Sequence, residues 1–329
     1  MTEDTGRKSL SPAAALTRRT FVGWMGGAAA ATMVGGAFAK PTRELPISLG
    51  LQLYSVDAQL KADFDGTLRR VAALGYHDVE LPGFYGRTAA ALKASLAKAG
   101  LRCRSTHVAP VASEPGVLSL AAGLEDTVAY CAELGVEYVV CPFVRLPMDV
   151  DQALRGAGSD AAARERLLGS LTLDDWHRHA EFLNRVGRKV SDAGMNFAHH
   201  THNLEYRTFG GVTALDELLR LTDAALVSIE LDCGWVAAAG QDPAAELRRL
   251  GSRVTLAHFK DLTHRGVPNF ALQMESTECG RGIVDWPALV SAAHSIGLHQ
   301  VYVEQEPPFV RPALDSVKTS LDFLKGIAG

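Results

Sequence analysis

The sequence predicts an α/β protein folded as a single (β/α)8 TIM barrel, and three observations carry that prediction. Short apolar runs alternate with longer amphipathic runs eight times between residues 47 and 327, the pattern of parallel strands joined by crossover helices. Four amphipathic runs stop at a glycine (Gly75, Gly100, Gly135 and Gly194), where a left-handed cap ends a helix. Metal-capable residues recur where strand runs give out, and in such barrels the chemistry sits at the C-terminal strand ends. A doubly wound open sheet competes. It calls for a glycine-rich phosphate turn after the first strand, which Gly50-Leu51-Gln52-Leu53-Tyr54 is not.

Taken in order, residues 47–56 read as a strand and 64–74 as an amphipathic helix. Residues 78–81, 101–108 and 136–141 give the next three strands, with helices over 88–99 and 118–134 between them. The stretch 143–170 has no strand pattern; it reads as an insertion over one end, with a short helix near 161–168. A long helix over 173–193 starts at Thr172, a natural N-cap ahead of Asp174 and Asp175. The fifth strand runs from Met195 into His199-His200-Thr201-His202, and a helix follows over 212–222. Strands over 226–232, 253–259 and 299–304 complete the eight, and a helix over 312–327 closes the chain. Asp242-Pro243 and Asp285-Trp286-Pro287 each open a helix with a capping aspartate and a proline in the first turn.

The front of the chain reads as an address. Thr17-Arg18-Arg19-Thr20-Phe21-Val22 pairs arginines ahead of a mild apolar segment, and Ala37-Phe38-Ala39 supplies a small-x-small cleavage site. We therefore expect a twin-arginine signal peptide over residues 1–39, a catalytic domain over 40–329, and a periplasmic mature protein (membrane-anchored if the signal is not cleaved). No stable membrane span is expected after cleavage. A net charge of −4 without a basic face argues against a nucleic-acid partner. The five cysteines show no C-x-x-C pairing, which excludes a disulfide framework and makes buried free thiols the reading for Cys103 and Cys141.

Read in strand order, the rim carries Gln52 and Tyr54, Glu80, His107, Cys141, His200 and His202, Asp232, His258 and Lys260, then Glu304 and Glu306. On a strand, His200 and His202 share a face while His199 points away. A lone histidine at a strand end is commonly structural. A whole rim of ionisable groups has no structural purpose.

The motifs Gly75-Tyr76-His77-Asp78-Val79-Glu80-Leu81, His200-Thr201-His202 with Glu205, Glu230-Leu231-Asp232-Cys233-Gly234-Trp235, His258-Phe259-Lys260-Asp261, Gly280-Arg281-Gly282-Ile283-Val284-Asp285-Trp286 and Val303-Glu304-Gln305 resemble the xylose isomerase-like superfamily. That superfamily includes sugar isomerases, ketose 3-epimerases, inosose dehydratase and dehydroshikimate dehydratase. The resemblance covers residues 47–327. It implies a divalent metal held by His200, Asp232, His258 and Glu304, with Mn2+ favoured and Zn2+, Co2+, Fe2+ or Mg2+ as alternatives. His200 departs from the pattern, because epimerases of the family carry glutamate there and use two facing glutamates to invert a carbon. One carboxylate base, Glu304, then remains.

The expected activity is a metal-dependent sugar isomerase or epimerase-type reaction on a neutral sugar or sugar derivative, through a metal-stabilised enediolate. The alternative is a dehydratase or lyase eliminating a β-oxygen from a 3-keto sugar or 3-keto glycoside. A further alternative is a noncatalytic sugar-binding protein of the envelope. Glu304, His107, His202 and Lys260 are the candidate proton-transfer residues, with pairing to Asp261 as the structural alternative for Lys260. Glu80, Tyr54, Trp235 and Glu205 are candidate substrate contacts; Glu80 and Glu205 can instead orient ligand histidines. Backbone N–H groups of 280–285 are a candidate anion cradle. The expected partner is a small carbohydrate, and a homo-oligomer is compatible with the sequence.

Overall fold

In the computed structural model, eight parallel strands close on themselves in chain order. They are β1 (Ser48–Gln52), β2 (Asp78–Leu81), β3 (Arg102–His107), β4 (Tyr138–Cys141), β5 (Asn196–His200), β6 (Ser228–Asp232), β7 (Val254–Phe259) and β8 (Gln300–Val303), with β8 paired back to β1. The structure describes residues 47–327 apart from Pro115, Ser159 and Arg265. The expected export segment lies outside the described residues. Among those described, no helix is long and apolar enough to cross a membrane.

Strand side chains alternate between the helices and the barrel interior. Val140, Ala198, Leu256 and Tyr302 form a small cluster of their own inside the barrel, separate from the large core beneath the helices. Tyr302 fits because β1 carries a glycine opposite it: a Cβ on Gly50 would lie 2.5 Å from the ring. Two residues further along the strands stand His200, His258 and Glu304. The interior cluster is thus the floor of whatever the rim holds.

Register fixes which rim residues meet. Asp232 pairs with His258, and His258 with Tyr302. His200 pairs with Glu230, and Gln52 with Glu80. A one-residue slip would turn every one of these side chains outward.

Several boundaries differ from the sequence expectation, each for a local reason. The first strand ends at Gln52 rather than 56, because the Gln52 side chain accepts the Tyr54 N–H and starts a 3-10 turn over Leu53–Val56. Helix α1 (Asp57–Ala62) follows it, and Asp63 then caps α2 (Phe64–Ala73). Further round the barrel lie α3 (Ala89–Ala99), α4 (Leu124–Leu134), α7 (Leu173–Asp192) and α8 (Ala214–Leu221). The helix expected from 118 begins at Leu124: Ser119 and Ala122 form a side-chain turn, and Gly123 adopts a left-handed conformation that breaks the chain direction. The insertion contains two helices, α5 (Met148–Ala157) and α6 (Ala161–Gly169). The first is largely solvent-facing, so it shows too narrow an apolar stripe to be read from periodicity. A further helix, α9 (Cys233–Ala238), grows directly out of β6, and the loop after β7 carries a small hairpin of Asp261–Leu262 with Ser276–Thr277.

Candidate metal centre

The rim residues turn inward in pairs two apart, as strand geometry requires, and their functional atoms converge. His258 sits at the centre, fully buried. Its Nε2 is 2.6 Å from Glu80 Oε2, and its Nδ1 is 2.7 Å from Glu304 Oε2 and 3.8 Å from Asp232 Oδ2. His200 is arranged the same way: Nδ1 is 2.8 Å from Glu230 Oε2 while Nε2 faces Asp232 Oδ2 at 3.8 Å. In each ring one nitrogen rests on a carboxylate behind it, and the other points into a common space beside Asp232. Burial holds His200 well below the usual imidazole value, so with Glu230 on Nδ1 its Nε2 is open to a cation. Burial would lower His258 too, but Glu230, Glu304 and Glu80 outweigh it, and a cation entering there replaces the proton those carboxylates hold.

The carboxylates outnumber the ammonium groups. Glu80, Glu230, Asp232 and Glu304 are buried around a single buried lysine, with the partly exposed Glu306 at the edge. Lys260 Nζ lies 2.7 Å from Asp232 Oδ2, 2.9 Å from Glu304 Oε2 and 2.7 Å from Glu306 Oε1. Protons or a cation must supply the remaining positive charge. Burial would lower His107, but the charges of Glu80 and Glu230 outweigh it and push it up to about 9. Burial, reinforced by Glu80, raises Glu230 to about 7. Burial opposes ionisation of Glu304 as well, yet Lys260 and His258 hold its carboxyl well below the usual range. Glu230 Oε1 is buried without a hydrogen-bond partner. Two groups of donors meet here with His258 in common, one of His107, His200, Glu230 and His258, the other of Asp232, His258 and Glu304. Buried nitrogen and oxygen donors in excess of their own cations fit a divalent metal. The barrel rim therefore contains a divalent-metal-binding site.

The expected residues are sorted by this geometry. His107, His200, His202, Trp235, Lys260, Glu304 and Tyr54 all line one cavity of about 420 Å3 above the donors, a volume ordinary for a small-molecule site. The Trp235 ring faces Lys260 Nζ at 5.3 Å. Gly234 lets the lysine pass, since a Cβ there would lie 2.8 Å from its side chain. Burial pushes His202 down to about 3, so it is neutral, and its ring stacks on Phe143 at 5.0 Å.

Neither Glu80 nor Glu205 lines that cavity. Glu80 lies beneath the donors, held by Gln52, Ser105 and His258. Glu205 spends its two oxygens on His199 Nε2 (3.2 Å) and the His202 N–H (2.9 Å). Glu80 thus backs His258 and Glu205 backs His199, with Glu205 also lining an adjoining cavity.

Two further expectations are corrected. Lys260 pairs with Asp232, Glu304 and Glu306, and Asp261 serves a different purpose. Its carboxylate accepts the N–H groups of Leu262, Gly280, Gly282 and Val284 and the Trp286 indole, all within 3.1 Å. The segment expected to cradle an anionic substrate thus cradles Asp261 itself.

Glu230 was missed. The signal was its position two residues before Asp232, which puts it on the same inward face. Phe143, Arg164 and Leu272 also line the cavity from loops and the insertion, where no periodicity announces them. A second cluster, Cys141, His179 and His199, lies on the opposite face of β4 and β5. There the Arg145 N–H donates to His179 Nδ1, which places the ring proton on Nε2, and burial pushes the Cys141 thiol up to about 12. Such a set coordinates metal poorly and reads as packing.

A family model described as "Xylose isomerase-like TIM barrel" matches residues 68–327. The chain belongs to the xylose isomerase-like TIM-barrel family. It is 30% identical over 156 residues to an inosose dehydratase from Lacticaseibacillus casei, covering 43% of this chain and 51% of that one. An inosose dehydratase from Clostridium beijerinckii is 33% identical over 92 residues, covering 27% and 29% respectively. The first of these matches spans about half the relative's length. Among solved structures, a sugar phosphate isomerase/epimerase from Parabacteroides distasonis superposes with a TM-score of 0.67 at 22% identity, covering 84% of this chain and 97% of that one. The IOLI protein, solved with a zinc atom bound, gives 0.62 at 15% identity over 86% and 98%. These structural likenesses support the fold of the family. This member of the family carries a buried donor set that fits a divalent metal at its barrel rim.

Proposed function

We propose that the protein removes the proton beside a carbonyl in a neutral sugar or sugar derivative, with His200, Asp232, His258 and Glu304 holding the metal. The observation that carries this reading is the paired arrangement of His200 and His258, each backed by a carboxylate and each facing Asp232 at the cavity floor. A divalent cation bound there supplies a Lewis acid for adjacent carbonyl and hydroxyl oxygens. Glu304 accepts the α-proton, being ionised and on the cavity wall. His107 returns a proton: it lines the same cavity, and its raised pKa keeps it charged. Lys260 orients Glu304 and Glu306, while Tyr54 and Trp235 flank the sugar.

The carboxylates on the cavity wall, Glu304 and Glu306, both follow β8, whereas β3 and β5 present His107, His200 and His202. One-sided base chemistry supports isomerisation, or elimination of a β-oxygen from a 3-keto sugar or 3-keto glycoside, over inversion between two glutamates. Elimination is the second reading, favoured by the similarity to inosose dehydratases. The partner is a small carbohydrate, and the paired arginines at 18 and 19 support export by the twin-arginine route to the periplasm.

The test is a panel of aldoses, ketoses and 3-keto glycosides incubated with the Mn2+-loaded and chelated protein, products being followed by NMR. A new sugar or a released β-substituent, formed only with metal, supports the proposal. Binding without turnover across the panel would instead favour a noncatalytic envelope protein.

A further inference from the structure

The cavity above the donors does not end at the barrel rim. A second cavity of about 280 Å3 adjoins it and shares Phe143, Arg164, His202 and Leu272 as walls. Its remaining surface comes largely from Pro110, Val111, Val144, Leu146, Leu154 and Leu168. The insertion builds much of that surface: α5 gives Leu154 and α6 gives Leu168. A (β/α)8 barrel closes without these two helices, so their placement beside the site asks for a purpose.

Three charged groups of this annex, Asp151, Arg155 and Glu205, are already engaged. Arg155 binds Asp151 at 3.0 Å and the Ser113 carbonyl, and Glu205 is held by His199 and the His202 N–H. Arg164, on the boundary shared with the first cavity, is a charged side chain without a partner among the described residues; the rest of the lining is mainly apolar. The Phe143 ring, 48% exposed despite its size, lies flat on His202 at the boundary of the two cavities. An exposed aromatic beside an apolar recess is the arrangement that grips a flat apolar group. An apolar cavity of about 150 Å3 is enough to admit benzene, so the annex has room for one substituted ring.

We infer that the substrate is bipartite: a sugar ring over the metal centre, joined to an apolar, ring-bearing aglycone that fills the annex between α5, α6 and the loop after β3. The inference rests on the sugar reading of the rim. It narrows the substrate class from free sugars to 3-keto glycosides with a hydrophobic aglycone, because the anomeric carbon of a glycoside is locked as an acetal and the carbonyl must lie on another ring carbon. Glycosides without that carbonyl serve as unreactive binding probes.

The experiment measures calorimetric affinities of the Mn2+-loaded full chain for matched methyl and phenyl glycosides of glucose, galactose and xylose. The phenyl member of a bound pair is expected to bind at least about tenfold tighter, from the apolar surface it buries. Ala109→Trp and Val111→Asp, both at exposed positions of the annex mouth, should reduce that preference to below about threefold and leave the methyl glycoside within about twofold. Equal wild-type affinity for methyl and phenyl members overturns the inference while leaving the sugar site standing. So does parallel weakening of both ligands in the variants. Failure of every glycoside to bind overturns the sugar reading itself. The wild-type comparison decides the question even if a variant does not fold.

Discussion

The Lys260 ammonium lies 2.7 Å from Asp232 Oδ2, on the oxygen that His200 and His258 also face. Asp232, Glu304 and Glu306 together outweigh the cost of burying it and raise its pKa well above the usual lysine value. A lysine and a metal would compete for Asp232 and Glu304. Lys260→Met removes the competitor and should tighten Mn2+ binding by about tenfold or more, read by calorimetry. In chelator the same variant should lose about 3–5 kcal/mol of stability, because three carboxylates are left without their buried counter-charge. Unchanged affinity would mean that the ammonium stands outside the metal's place.

Asp232 does two things with two oxygens: Oδ1 accepts the Trp235 N–H and caps α9, while Oδ2 faces the histidines. Asp232→Asn keeps a capping oxygen and should fold normally, yet retain little metal by elemental analysis. Asp232→Ala should lose the metal and about 1 kcal/mol of stability besides. Glu230→Gln keeps every proposed ligand and weakens the support behind His200 together with the contacts to His107 at 2.8 Å and His258 at 3.4 Å. A drop of about 10–100-fold in metal affinity is expected for it.

Glu205 offers a pH test well away from the donors. Burial opposes its ionisation, but the His199 and His202 contacts win and hold it below its usual value of 4.5. A depressed carboxylate stabilises the fold above its unfolded pKa, and that contribution fades as pH falls through the folded value. Glu205→Gln should therefore be less stable than wild type by about 1.5–3 kcal/mol at pH 7. The gap should hold down to about pH 4.5 and narrow below it, as denaturant titrations at several pH values would show. A gap independent of pH would assign the loss to packing alone.

Most of this architecture was legible in the sequence because a single rule produces it. Side chains two apart share a strand face, so Ala198 and His200, Leu256 and His258, and Tyr302 and Glu304 stack as floor and rim. Applied to β6, the same rule would have placed Glu230 beneath Asp232. What escaped lies where periodicity is silent. Arg164 and Phe143 reach the cavity from an insertion, and Lys260 does not pair with Asp261 because adjacent strand residues face opposite ways. For Glu80 and Glu205 the sequence left two roles open, substrate contact and orientation of histidines, and the contacts with His258 and His199 fit the second.

Glu304 is expected to remove a proton from the carbon beside a carbonyl, on one face, with metal bound at the cavity floor. Deuterium incorporation at that carbon, followed by NMR in heavy water with Mn2+-loaded wild type and Glu304→Gln, tests it directly. Glutamine keeps an oxygen toward the metal but has no basicity. Wild type should incorporate a single deuterium with one stereochemistry, and Glu304→Gln should slow exchange by about 100-fold or more while holding more metal than Asp232→Asn. Exchange at the wild-type rate in metal-loaded Glu304→Gln, with clean inversion at one carbon, would contradict the account.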